Sequence, residues 1–152
     1  VTKPVLCAVD GACVTGGLEL ALSCDMIVAS ERARFADTHV RLGVLPRWGM
    51  SALLPRAIGL AAAKEMTLTG RFVDTDEALR MGLVARVLAH EGFDAAVDRL
   101  AGEIAAARPA AVTGMLDLYD RAVDLPLADA FERERTVGQG FSTEGTFAAR
   151  PT

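Results

Sequence analysis

Apolar positions along this chain fall into short dense runs as far as about Leu88 and into longer stripes at helical spacing beyond it. Val5-Leu6-Cys7-Ala8-Val9 predicts a buried strand, closed by an Asp10-Gly11 turn. The stretch Asp10 to Asp25 joins that strand to a compact helix. Thr15 is its expected N-cap, Gly16 and Gly17 let the first turn lie close to a neighbour, and Leu18 to Cys24 is uncharged except at Glu19. Met26-Ile27-Val28-Ala29 predicts a second strand, followed by a polar turn from Ser30 to Arg34. From Met50 onward helices alternate with punctuation at Pro55, Gly59, Gly70, Gly82, Gly92, Pro109 and Pro126. Asp74-Thr75-Asp76-Glu77 caps a short helix that Gly82 ends, and Leu83 to Leu88 predicts a last strand. Phe93, Val97, Leu100 and Ile104, then Val112, Met115, Leu116, Tyr119 and Val123, mark two amphipathic helices. A third runs from Leu127 to about Val137, with Glu132-Arg133-Glu134-Arg135 as a solvated or subunit-facing charge run.

Composition narrows the class. With 152 residues, 51% of them hydrophobic, the chain can build a real core. A net charge of -4 without any Lys/Arg block argues against nucleic acid as the main partner. No apolar run reaches the ~18 residues of a membrane span, and the first residues lack a signal-peptide pattern, so a soluble, cytoplasmic protein is expected. Val1 to Pro4 lead straight into a strand with no start methionine, as in a segment of a longer protein. The 3 cysteines, Cys7, Cys13 and Cys24, suit neither a disulfide framework nor a zinc site and are expected to be buried thiols.

The candidate chemistry lies at the start of the glycine helix. The first amides of a helix have no acceptor within it and carry the positive end of its dipole, so they can hold an oxyanion. Gly16 and Glu19 share a helical face, which places a carboxylate one turn from a glycine amide. Two plainer readings stand beside this one: Gly-Gly as close packing, and Glu19 as an answer to the dipole. A capping box explains Glu19 less well, since with Thr15 as N-cap it falls one position late. His39 and the loop from Val40 to Gly49, which holds the only tryptophan, Trp48, form a second cluster of candidates. Taken singly, His39 is better read as an ordinary polar histidine near a helix start and Trp48 as a core or rim aromatic. His39 and His90 are too far apart in sequence to indicate zinc by spacing. P-loop, Gly-x-Gly-x-x-Gly and Gly-x-Ser-x-Gly patterns are absent, as are repeats.

Lys3-Pro4-Val5, Ala8-Val9-Asp10-Gly11, Gly16-Gly17-Leu18-Glu19-Leu20-Ala21, Cys24-Asp25, Ala33-Arg34-Phe35, Leu42-Gly43, Leu45-Pro46, Leu54-Pro55-Arg56, Ile58-Gly59, Leu68-Thr69-Gly70, Glu77-Ala78-Leu79 and Gly82-Leu83-Val84 form one ordered set of short motifs. In that order and register the chain resembles the crotonase, or enoyl-CoA hydratase/isomerase, superfamily. The resemblance implies an α/β fold: a crotonase-like spiral of strand-strand-helix turns over residues 1–88, containing the active-site helix, and a helical trimerisation region over 89–152. It implies an acyl-CoA thioester as substrate, enolate chemistry, and a homotrimer or dimer of trimers. The family's first catalytic glutamate falls on Glu19 and one of its two oxyanion amides on Gly16. In other enzymes the loss of one such donor costs about 2.7–4 kcal/mol. Substrate-binding positions fall on Thr15, Gly17, Thr38, Pro46, Arg47 and Trp48. No cofactor or metal is implied, because coenzyme A is part of the substrate and the thioester is the electron sink.

Two departures matter. The second hydratase glutamate is replaced by His39, which gives a Glu/His acid/base pair. The Gly-Ala-Gly-Gly that usually follows the proline is here Arg47-Trp48-Gly49-Met50, a bulkier pocket floor. The family's other oxyanion amide and most of its adenine and pantetheine contacts come from upstream of the position of Val1, so this chain is expected to carry half a site. A 2-enoyl-CoA hydratase is the leading expectation. A double-bond isomerase using Glu19 alone, and a non-catalytic CoA-binding or oligomerisation module, are the alternatives.

Overall fold

The computed structural model describes residues 3–140, which divide into two compact units, one from Val5 to Ile104 and one built from the residues before and after it. In the first unit, β1 (Leu6–Val9), β2 (Ala12–Val14) and α1 (Gly16–Leu22) are followed by β3 (Met26–Ser30), β4 (Arg34–Ala36), α2 (Met50–Ile58) and α3 (Leu60–Thr69). Two successive strand-strand-helix passes thus run through it. β5 (Val73–Asp74), α4 (Thr75–Arg80), β6 (Arg86–Leu88) and α5 (Phe93–Ala105) complete the series.

The strands form two three-stranded sheets. In one, β1 pairs in parallel with β3, and β3 with β6, with Leu6 opposite Met26 and Val28 opposite Arg86. In the other, β2 pairs in parallel with β4, with Cys13 opposite Phe35, and β5 closes the edge antiparallel to β4. The buried strand at Val5–Val9 and the second strand at Met26 are where the apolar runs predict them. Three strands were not expected. β2 lies inside the stretch read as a plain link from strand to helix, β4 follows the polar turn, and β5 leads into α4. Each has only two or three residues, so its state is set by partners some twenty or more positions away and not by local periodicity. The last strand is also shorter than expected: Leu83 and Val84 are buried core residues ahead of β6.

The core lies between these sheets and helices α1 to α4. Leu18, Val28, Phe35, Met50, Leu54, Met66 and Val73 are its fully buried large apolar side chains. The expected short helix is α4, whose N-cap Asp74 accepts from the Glu77 N–H at 2.8 Å. Of the three cysteines only Cys13 is buried; Cys7, on the edge strand β1, and Cys24, in the link between α1 and β3, are half-buried, against expectation.

The second unit contains α6 (Pro109–Ala122) and α7 (Leu127–Gln139). Pro109 opens α6, where its missing N–H costs nothing. The Val112–Val123 stripe and the third helix expected from Leu127 both form, yet neither helix has a buried residue, and Tyr119, Val123, Leu127 and Phe131 are exposed. Asp117 joins the two helices through Arg133 and also pairs with Arg121 within α6. Among the described residues no helix is long and apolar enough to cross a membrane.

Candidate active site

The neighbouring parallel strands β2 and β4 deliver the site from their carboxyl ends. At the end of β2 the Thr15 N–H donates to the Ala36 carbonyl at 2.9 Å, tying the start of α1 to the end of β4. Thr15 does occupy the N-cap position, but its hydroxyl caps nothing in the helix. It bonds the Thr38 hydroxyl instead, and the backbone of Thr15 sits at φ 54, ψ -112. Positive φ at a β-branched residue is a genuine strain. The bend it makes lets α1 leave β2 abruptly and brings Glu19 under the loop before α2.

Glu19 is 3% exposed. Its Oε1 accepts from the Trp48 N–H at 2.7 Å and the Met50 N–H at 3.3 Å. The two donors flank Gly49, whose φ of 109 turns the chain into α2, a conformation glycine takes without strain. A carboxylate therefore faces the positive end of a nine-residue helix and two oriented amides. With Oε1 so engaged, Oε2 is the oxygen that faces His39.

The His39 Nε2 lies 3.5 Å from that Oε2. The other ring nitrogen, Nδ1, is 2.6 Å from Asp37 Oδ1, which also accepts the His39 backbone N–H at 3.2 Å. Thr67 of α3 donates to Asp37 Oδ2 at 2.8 Å. Asp37 is fully buried and His39 is 6% exposed. The result is a line of three titratable groups, Asp37, His39 and Glu19, shut away from water at its outer end.

Gly16 opens α1, so its N–H has no acceptor within the helix. The Trp48 ring passes so close that a Cβ on Gly16 would stand 3.3 Å from the ring carbon Cζ3. Trp48 itself is 70% exposed, so its ring is neither core nor free surface but a cover over the helix start. The structure thus gathers Thr15, Gly16, Glu19, Thr38, His39 and Trp48. Gly17 and Arg47 are exposed and Pro46 half-buried, and none of the three makes a polar side-chain contact with this cluster. A hollow of about 480 Å³ elsewhere, lined by Leu22, Ile27, Leu53 and Leu83 among others, holds none of these residues.

Sequence reasoning missed Asp37. The available signal was the Asp-x-His spacing, in which an aspartate accepts from the backbone N–H two residues on and so stands beside the histidine ring. It also missed Trp48 and Met50 as amide donors, because nothing local ties them to Glu19. Cys13, near the site in sequence, is no nucleophile: burial pushes its thiol up to about 11, with Cys7 adding to the effect.

A family model for enoyl-CoA hydratase/isomerase matches residues 1–147. The chain is 38% identical over 144 residues to a short-chain-enoyl-CoA hydratase of Clostridium acetobutylicum, covering 93% of this chain and 55% of that protein. It is 44% identical to an enoyl-CoA hydratase of Mycobacterium avium whose crystal structure superposes with a TM-score of 0.78, covering 91% of this chain and 62% of that one. A Thermobifida fusca protein solved in complex with acetoacetyl-CoA is 33% identical with a TM-score of 0.85, covering 89% of this chain and 53% of that one. The chain spans about half the length of the curated relatives it matches.

Proposed function

The chain belongs to the enoyl-CoA hydratase/isomerase family, and from that premise we propose that its Glu19–His39 pair adds water across the C2=C3 bond of a 2-enoyl-CoA thioester. The observation that carries this reading is the buried Glu19 carboxylate, held through Oε1 by two backbone amides with Oε2 facing His39 Nε2 at 3.5 Å. In the proposed reaction Oε2 takes a proton from water, whose oxygen bonds to C3. The π pair moves to C2 and the thioester oxygen, where the Gly16 N–H stabilises the enolate. C2 then takes a proton from the Glu19–His39 pair. The pair starts with one mobile proton, gains one and gives one, so it is regenerated. The 3.5 Å separation is long for a hydrogen bond, and such contacts tighten when a substrate excludes water. No metal, flavin or nicotinamide enters this scheme, since the thioester accepts the electrons.

The test is loss of the enoyl-thioester absorbance of crotonyl-CoA and of a longer-chain analogue, in the natural-length protein. Hydration by the parent that Glu19→Gln abolishes is the expected result; no hydration by the parent overturns it. A double-bond isomerase is the second reading, favoured by the same long contact: Glu19 is firmly held while His39 stands back, as a single proton shuttle would require. A 2-enoyl product from a 3-enoyl-CoA, without a 3-hydroxyacyl product, would select it. The exposed apolar residues of α6 and α7 support subunit packing, and we place the assembly as a homotrimer or dimer of trimers, to be checked by sedimentation.

A further inference from the structure

We infer that Asp37 is a positioning residue that fixes the tautomer of His39, so that His39 and Glu19 share one mobile proton and act as a single acid/base unit. This deepens the hydratase reading and rests on it. An ionised aspartate only accepts hydrogen bonds, and Asp37 accepts from the His39 N–H at 3.2 Å and the Thr67 hydroxyl at 2.8 Å, while the His39 ring nitrogen Nδ1 stands 2.6 Å from it. The imidazole must then carry a proton on Nδ1. Nε2 is left facing Glu19 Oε2 at 3.5 Å. The proton that the pair shares in the proposed reaction then has two addresses, Nε2 and Oε2, which close on one another when a substrate excludes water. No atoms are gained or lost in that exchange, only the proton's address.

The Asp37 carboxylate is itself braced from two elements. The backbone turn to His39 sets one oxygen and α3, through Thr67, sets the other. With the residue fully buried, no water competes for either oxygen. Among the described residues, Asp37 and Glu19 are the titratable groups that contact His39, while α3 supplies only a neutral hydroxyl. Asp37 touches neither Glu19 nor the Gly16 amide in the hydrogen-bond network, so its influence on chemistry has to pass through the ring.

The test combines histidine ¹⁵N NMR with kinetics on the natural-length protein. In the parent, the His39 signal, assigned by its loss in His39→Gln, is expected to show Nδ1 protonated across the working pH range. Asp37→Val, near in shape, removes both acceptor oxygens, so nothing on that side of the ring holds the proton on Nδ1, and the Glu19 side favours the Nε2–H tautomer. The expected result is a shift of the ring signal toward that tautomer, a fall in kcat of ~10²–10⁴-fold with KM within about threefold, and a displaced pH profile. A parent spectrum with Nδ1 bare overturns the inference without any variant, and decides the matter should Asp37→Val fail to fold. A folded Asp37→Val that keeps the parent tautomer, rate and pH profile, while Glu19→Gln is inactive, also overturns it and leaves the hydratase reading standing. If Glu19→Gln hydrates normally the hydratase reading falls, and the tautomer of the Asp37→Val ring alone decides what Asp37 does.

Discussion

The chain has 2 histidines, and each ring faces an aspartate. His39 Nδ1 is 2.6 Å from Asp37 in the interior, and His90 Nδ1 is 3.2 Å from Asp10 at the surface. At the surface, Asp10 is already bound by both arms of Arg32, at 2.8 Å each, and by the Ser30 hydroxyl, while His90 is 45% exposed. Its histidine is one partner among several, in water, and among the described residues the ring is held only through Nδ1. In the interior, among the described residues, no Lys or Arg contacts the aspartate, and the far nitrogen of the ring meets a second carboxylate. Two Asp–His contacts of similar length thus differ in what lies on the other side of the ring and in the exclusion of solvent, and the proposed chemistry rests on those two differences, not on the contact itself.

That contrast can be broken first at Glu19. Glu19→Gln keeps the shape but removes the proton acceptor, and is expected to lower crotonyl-CoA hydration by about 10³-fold or more, whereas Asp10→Asn should leave the rate within about twofold of the parent. His39→Ala should cost roughly 10²-fold in kcat and, by leaving Asp37 buried without its ring donor, about 1–3 kcal/mol in denaturant unfolding. His90→Ala is the matched control: an unchanged kcat and melting temperature are expected, and a loss as large as that of His39→Ala would erase the distinction drawn here. The smallest effect is on acid stability. The Arg32 guanidinium first, and the Ser30 hydroxyl next, hold the Asp10 carboxyl below the usual range, at about 2. A carboxyl lowered by folding stabilises the native state above its unfolded value and loses that contribution as pH falls through the folded one. The stability gap between parent and Asp10→Asn should therefore close between about pH 4 and pH 2, followed by circular dichroism during acid titration.

How much of this was legible beforehand depends on the range of the interaction. The helix at Gly16, the Asp74 cap and the stripes of α5 to α7 each depend on residues within a few positions, and the sequence pattern displays them. Strands β2, β4 and β5 depend on one another across the chain, as Cys13 opposite Phe35 shows, and two- or three-residue strands carry too little alternation to be seen. The same holds within the site. Glu19 and Gly16 stand out by helical spacing, but the amides that grip the carboxylate come from Trp48 and Met50, and the side chain that braces Asp37 from Thr67. Thr15 was placed correctly at the helix boundary, yet its hydroxyl turned to Thr38, a partner that only the pairing of β2 with β4 brings within reach.

Thr15 also sets a trade. Its backbone at φ 54 stores strain of the order of 1–3 kcal/mol, which the rest of the fold has to supply. Glycine would release that strain, so a programme of thermal hardening guided by melting temperature alone would select it early. It would also discard the hydroxyl that latches the helix start to Thr38, and give the unfolded chain more freedom to lose. At this one position, resistance to heat and constancy of the Gly16 amide pull in opposite directions, and the threonine marks which of the two this chain retains.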